Sequence, residues 1–173
     1  MEMKKSVMIL GAAIKPVFEA FLNKEYATKL IEQAFGTKSI DSDMSYPAAV
    51  YIDTLRSIET DMSAQVVRKV GRFMIENAKW PSAITNLEQG LASIDTAYRM
   101  NHIPNTKADI GEYGFKKVNE NTFEIHCDNP YPCALDLGIV TGVTTRFDKK
   151  AYVSHGEGCR EKGDTKCVYV IKN

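Results

Sequence analysis

The chain has 173 residues, enough for one domain with a real core, and its 22 basic and 22 acidic side chains cancel. That balance gives no electrostatic case for nucleic acid or an anionic membrane as a partner. No apolar run approaches the ~20 residues of a membrane span, and Lys15, Pro16 and Glu19 break the apolar start before it can read as a signal peptide, so the expected location is the cytoplasm.

In chain order, Ser6 to Leu10 reads as a short strand. Helical segments follow at Ala12 to Leu22 and Glu25 to Phe35, with Gly36 as the stop of the second. Ser45-Tyr-Pro47 is expected to open the next helix, Ser45 as its cap and Pro47 near its start. Val50, Leu55, Ile58 and Met62 fall on or near one face of it. Ser63 is placed to cap a further helix carrying Val66, Val67, Val70, Phe73 and Met74, which ends before Trp80-Pro81. Ile84, Leu87, Leu91, Ile94 and Tyr98 form a regular stripe that predicts one helix stopping before Pro104.

The character changes near Ile110. Gly114 to Val118 and Thr122 to Cys127 read as a strand pair around Asn119-Glu-Asn121, Asp128 to Pro132 as a turn, and Cys133 to Phe147 as a helix. In that helix Gly138 and Gly142 allow another backbone to approach closely. Ala151 to Ser154 and Val168 to Ile171 then predict a terminal β-hairpin turning at Gly163-Asp164. A helical first two thirds (residues 1–109) followed by a ββαββ-like unit (110–173) implies an α+β fold: helices packed on a small antiparallel sheet, 1–173 forming a single small-molecule-binding domain.

All four cysteines, Cys127, Cys133, Cys159 and Cys167, fall in the last third. In a cytosolic protein such clustering favours metal or redox chemistry over structural disulfides. A hairpin centred on Gly163 sets Cys159 opposite Cys167, with His155 and Glu157 on the same face. Cys133 opens a helix, where the dipole favours a thiolate and lowers its pKa. Three thiolates plus one further ligand make a structural zinc set. His155 ranks first as the fourth ligand, Cys127 second and Glu157 third. The plainer readings are a buried free-thiol pair, a cross-strand disulfide, and a partly buried surface histidine.

Among the remaining candidates, His126 points away from Cys127 on a strand. His102 ends a helix, where it can interact with the helix C-terminus or reach a ligand cavity or a haem iron. Trp80, Tyr98, Tyr113, Phe115 and Tyr131, with His102, are candidates to line an apolar pocket between helices and sheet. Aromatic residues at such spacings also serve as plain core. No phosphate loop, nucleophile elbow or catalytic carboxylate pair is legible.

The pattern Cys133…Gly138…Gly142…Cys159-x3-Gly163-Asp164-x2-Cys167-x-Tyr169-x-Ile171 resembles the 4-vinyl reductase domain family. That family is related to the ligand-sensing domains of phenol-responsive activators, to haem nitric-oxide-binding domains and to TRAPP small subunits. The resemblance covers about residues 110 to 173, and over residues 1 to 109 only the order of elements fits. It implies a small-molecule-binding domain, often dimeric, with zinc bracing the hairpin against the helix start. In the phenol sensors three cysteines and a glutamate hold the zinc. Cys133, Cys159 and Cys167 match the cysteines, while Gly156 stands at the glutamate position, flanked by His155 and Glu157.

The leading expectation is therefore a stand-alone sensory module for a hydrophobic small molecule, with structural zinc and haem ranked behind it. It would signal to a separate effector protein and pair as a homodimer, with the Gly138/Gly142 face as a candidate interface. The alternatives are a haem- or tetrapyrrole-binding protein, with His102, His126 or His155 as axial ligand, and an enzyme acting on a tetrapyrrole or other hydrophobic substrate. Binding ranks above catalysis.

Overall fold

A computed structural model describes residues 2–173. Strand β1 (Met8–Leu10) is the centre of a small antiparallel sheet, flanked by β2 (Ser45–Pro47) and β3 (His102–Ile103). Helices α1 (Gly11–Glu19), α2 (Lys24–Phe35), α3 (Ala48–Asp61) and α4 (Ala64–Glu76) build the first hydrophobic cluster, around Ile14, Val17, Tyr51, Leu55 and Val67. Gly36 closes α2 in the left-handed region, φ 67°, its N–H bonded to Glu32 O, as the sequence predicts.

The second cluster forms on a four-stranded antiparallel sheet of order β4-β5-β7-β6 (Glu112–Asn119, Thr122–Asp128, Cys167–Lys172, Tyr152–His155). Phe123, Ile125 and Cys127 of β5 sit opposite Ile171, Tyr169 and Cys167 of β7. All six are buried, because the two-residue period sends them to one face. Against that face lie α5 (Leu87–Ala92), α6 (Ile94–Met100) and α8 (Cys133–Phe147), while the short α7 (Lys107–Ile110) leads into β4. The fold is thus α+β, helical first and strand-rich last.

Helices α4 and α8 hold the two halves together through unusually close backbones. A methyl group at Gly138 would stand 2.2 Å from Arg68 O, and one at Gly71 2.5 Å from Leu135 O. The predicted close approach at Gly138 and Gly142 is real, but α4 of the same chain makes it. That face is covered and is no candidate dimer interface.

Four local expectations are corrected. Ser45–Pro47 forms β2 rather than a helix start, because β1 offers it ladder partners, and α3 begins at Ala48 with no side-chain cap. Ser63 precedes α4, but its side chain makes no capping hydrogen bond. The stripe from Ile84 to Tyr98 breaks into α5 and α6 at Ser93, whose hydroxyl donates to Gly90 O, 2.8 Å. Met62, expected on the inner face of α3, is 48% exposed at its end.

Candidate functional site

Helix α8 enters the molecule at Cys133, directly after Pro132. One turn along, Asp136 faces inward and is wholly buried. Its carboxylate is in contact with the Arg160 guanidinium, accepts from Tyr113 OH at 2.5 Å and lies 3.4 Å from Asn129 Nδ2. Arg160 sits on a 3₁₀ turn (Arg160–Lys162) and also donates to Asn129 Oδ1 (2.9 Å) and Tyr131 O (3.0 Å). Burial pushes the Asp136 carboxyl up to about 6, outweighing the attraction of Arg160 and the hydrogen bond from Tyr113.

Cys133, Cys159 and Cys167 converge so that their sulfurs lie within 4.8 Å of one another. Cys133 Sγ and Cys167 Sγ are 3.1 Å apart, and Cys167 Sγ accepts the Arg160 backbone N–H at 3.4 Å. The expected depression of the Cys133 pKa is reversed. The contact between the two sulfurs, in which either can be the donor, pushes the Cys133 thiol up and Cys167 down.

The route to this convergence differs from the predicted one. The β6–β7 ladder pairs His155 with Tyr169, and Cys167 stands opposite Cys127 of β5. Cys159 is not in the ladder at all. The chain leaves it at Gly158, φ 101°, and Cys159 begins a loop closed by its N–H on Asp164 Oδ2, 2.8 Å.

His155 and Glu157 are exposed, and neither joins the sulfur cluster. The His155 ring packs edge-on against Tyr169. Cys127 is buried with its thiol pushed up by desolvation, and it too stands outside the cluster.

The aromatic candidates divide. Trp80 packs on Phe147 with Arg146 above its ring, and Phe115 stacks on Phe123. Tyr98, His102, Tyr113 and Tyr131 do converge, Tyr98 touching each of the other three rings at centroid distances of 4.5 to 5.9 Å.

His102 is 3% exposed. Its Nδ1 lies 2.7 Å from Tyr98 O, an acceptor only, so Nδ1 carries the proton and donates. Nε2 therefore accepts, and Tyr131 OH donates to it at 2.8 Å. Burial lowers the imidazole pKa, so the ring is neutral. Tyr51 packs on Tyr131 and is wholly buried, with its hydroxyl unpartnered. His126 lies elsewhere, between Glu124 and Lys166.

Among the described residues, two surface clefts bear on these groups. One, about 340 Å³, lies over His126 and Lys166, and the other, about 350 Å³, lies between the starts of α4 and α8 and is lined by Cys133, Cys159 and His155. His102 lines neither.

The sequence reading missed Asp136, Asn129 and Arg160. Asp136 left a signal: it stands four residues before Val140 and seven before Val143, on the apolar stripe of α8.

No protein-family model matches the sequence, and no curated protein matches it. Solved structures do match its fold. An H-NOX protein from S. oneidensis in the Fe(II)NO ligation state is similar over 95% of this chain and 98% of its own, with a TM-score of 0.74 and 15% identity. An oxygen-binding H-NOX domain related to soluble guanylate cyclases, solved as the oxygen complex, covers 94% of this chain and 91% of its own at TM-score 0.67 and 16% identity. A third, from work on haem redox potential and protein-induced porphyrin distortion, covers 94% and 97% at TM-score 0.66 and 16% identity.

At such identities the likeness defines the fold. This chain has the fold of H-NOX domains, which agrees with the wider relationship to haem nitric-oxide-binding domains and not specifically with the 4-vinyl reductase family. The cofactor ranking is corrected with it. The cysteine pattern puts zinc ahead of haem, whereas the proteins that share this fold are described with haem, Fe(II)NO or oxygen. Among the described residues, no helix is long and apolar enough to cross a membrane.

Proposed function

We propose that this chain is a sensory domain that binds haem or a related tetrapyrrole, with His102 as the side chain that would face the metal. Tyr98, Tyr113 and Tyr131 would line the site. Residues 1–173 act as one domain, which passes its signal to a separate effector protein. Bound haem would supply an iron able to take a small gas molecule as ligand.

The observation that carries this reading is the state of His102. A buried, neutral imidazole with Nδ1 fixed on a backbone carbonyl and a lone pair on Nε2 is the form in which histidine ligates a metal. The orphaned Tyr51 hydroxyl beside the same aromatic cluster is a second sign of fit, since a buried polar atom without a partner is costly. The H-NOX fold supports the reading further. Of the three histidines, only His102 is buried.

Tyr131 stands on the Nε2 side of the ring, so haem uptake requires it to withdraw. The test is titration of the purified protein with haemin. A Soret band should grow to one equivalent, be lost in His102→Ala and return with free imidazole. A spectrum that stays that of free haemin would sink the reading, leaving the aromatic cluster as core.

A further inference from the structure

The two hydrophobic clusters leave one apolar face of the fold uncovered. In the small sheet of order β2-β1-β3, Val7 and Ile9 are buried, so the two-residue period sends Met8 and Leu10 to the outer face. Met8 stands between Pro47 of β2 and Ile103 of β3 in the ladder, and Ile103 is 58% exposed. Met44 and Met100 extend the patch past Leu10. Met44 O accepts the Gly11 N–H, Asn101 O beside Met100 accepts the Leu10 N–H, and both methionines are exposed. Met8 and Leu10 pack into neither hydrophobic cluster. Contiguous apolar residues on a surface mark an interaction site, and methionine is enriched at such sites. His102, next to Ile103 but turned inward, is not part of this face.

The charges at the two ends of β1 decide what covers it. Before Met8 the chain turns through Lys4 and Lys5, Val7 N–H donating to Lys4 O. Lys4 is held by Asp109, whereas Lys5 is exposed and without an ion-pair partner among the described residues. Beyond Leu10, the loop of Asp41 and Asp43 lies against the start of α1, where Ser42 O accepts the Ala12 N–H at 3.1 Å. Both aspartates are exposed and form no ion pair among the described residues. The face is thus apolar at its centre, basic at one end and acidic at the other. A two-fold axis in the plane of the sheet and across β1 lays a second copy antiparallel over the first. Apolar surface then meets apolar surface, and Lys5 of each copy meets the Asp41/Asp43 loop of the other, twice per pair. The chain's zero net charge adds no overall repulsion between copies.

We propose that this chain pairs with a second copy of itself through the outer face of the β2-β1-β3 sheet, with the two β1 strands antiparallel across the interface. The contact is isologous, and Met8, Leu10, Pro47 and Ile103 form its apolar centre. It replaces the face at Gly138 and Gly142, which α4 covers, as the surface for pairing.

The experiment is sedimentation of the untagged protein at tens of micromolar, and none of its readouts depends on haem. Wild type should sediment at twice the mass of one chain, and Ile103→Glu at the mass of one, with its far-UV circular dichroism and melting temperature unchanged. Lys5→Glu makes both ends acidic and Asp43→Lys makes both ends basic, so each variant alone should pair at least about tenfold more weakly than wild type. Mixed in equal amounts, the two should pair again, because each acidic end then meets a basic one. A wild-type monomer would overturn the proposal and leave the face to a different protein. So would a dimer that survives Ile103→Glu, or charge variants that pair with themselves as well as with each other.

Discussion

Arg160 and Asp136 form an ion pair in the interior, at the seam between the two hydrophobic clusters. Asp136 is wholly buried and Arg160 is 13% exposed at its side chain. The guanidinium reaches Tyr131 O, in the cluster built by the N-terminal helices, and the carboxylate holds Tyr113 OH, in the cluster built on the sheet. The pair therefore ties the terminal loop to α8 and locates both tyrosines that flank Tyr98.

Breaking this pair on one side leaves an uncompensated buried charge, which costs about 3–5 kcal/mol. Arg160→Met and Asp136→Asn should each lower stability in urea by that order. The double variant should cost less than the sum of the two, because it strands neither charge. Additive losses would show that the two side chains do not act as a pair.

The backbone contact between α4 and α8 makes a second prediction. Gly138→Ala places a methyl group 2.2 Å from Arg68 O, and backbone cannot swing aside as a side chain can. Overpacking of this kind costs about 1–3 kcal/mol or more. Gly114→Ala meets nothing closer than 3.5 Å and should change little. Thermal melts of the two variants side by side check the contrast.

Tyr131→Phe removes the donor to His102 Nε2 and leaves a buried acceptor unpaired, a loss of about 1–3 kcal/mol. The same change releases Nε2 from its hydrogen bond, so haemin should bind the variant more tightly than wild type. Equal or weaker binding, read from the Soret titration, would mean that the hydroxyl does not compete with the metal.

Stability should depend on pH through two groups of opposite sign. His102 has a lowered pKa in the folded state, so the unfolded chain binds the proton first as pH falls below about 6.5. Its contribution is present above that pH and is lost as acid is added. Asp136 is raised from 3.8 to about 6, so the folded state binds the proton first. Its contribution is full below about 3.8 and is lost as pH rises through about 6. Melting curves from pH 4 to 8 should therefore show His102→Gln losing the acid-side decline and Asp136→Asn losing the opposing term. Identical pH profiles for wild type and both variants would refute the assignments.

Helix α8 was legible from Cys133 to Phe147 because its stripe, its preceding prolines and its length are all local. The β4–β5 hairpin was legible for the same reason, since alternation and the turn at Asn119-Glu-Asn121 lie within a few residues of the ladder they set. The conversion of Ser45–Pro47 into a strand was not legible, because its partner β1 lies far away in sequence. Nor was the path of Cys159, which depends on a positive φ at Gly158 and a loop closed by Asp164. The cysteine cluster was foreseen in membership but not in route, and its expected fourth member was not among those brought together.

Local pattern, then, carries which segments become helix or strand and which face of each is apolar, because those preferences act over one or two turns. Folding in three dimensions chose what the apolar faces enclose. It set Asp136 against Arg160, and His102 between Tyr98 and Tyr131. A buried charge or imidazole is tolerated only where distant chain segments bring it a partner, and no local preference encodes that meeting.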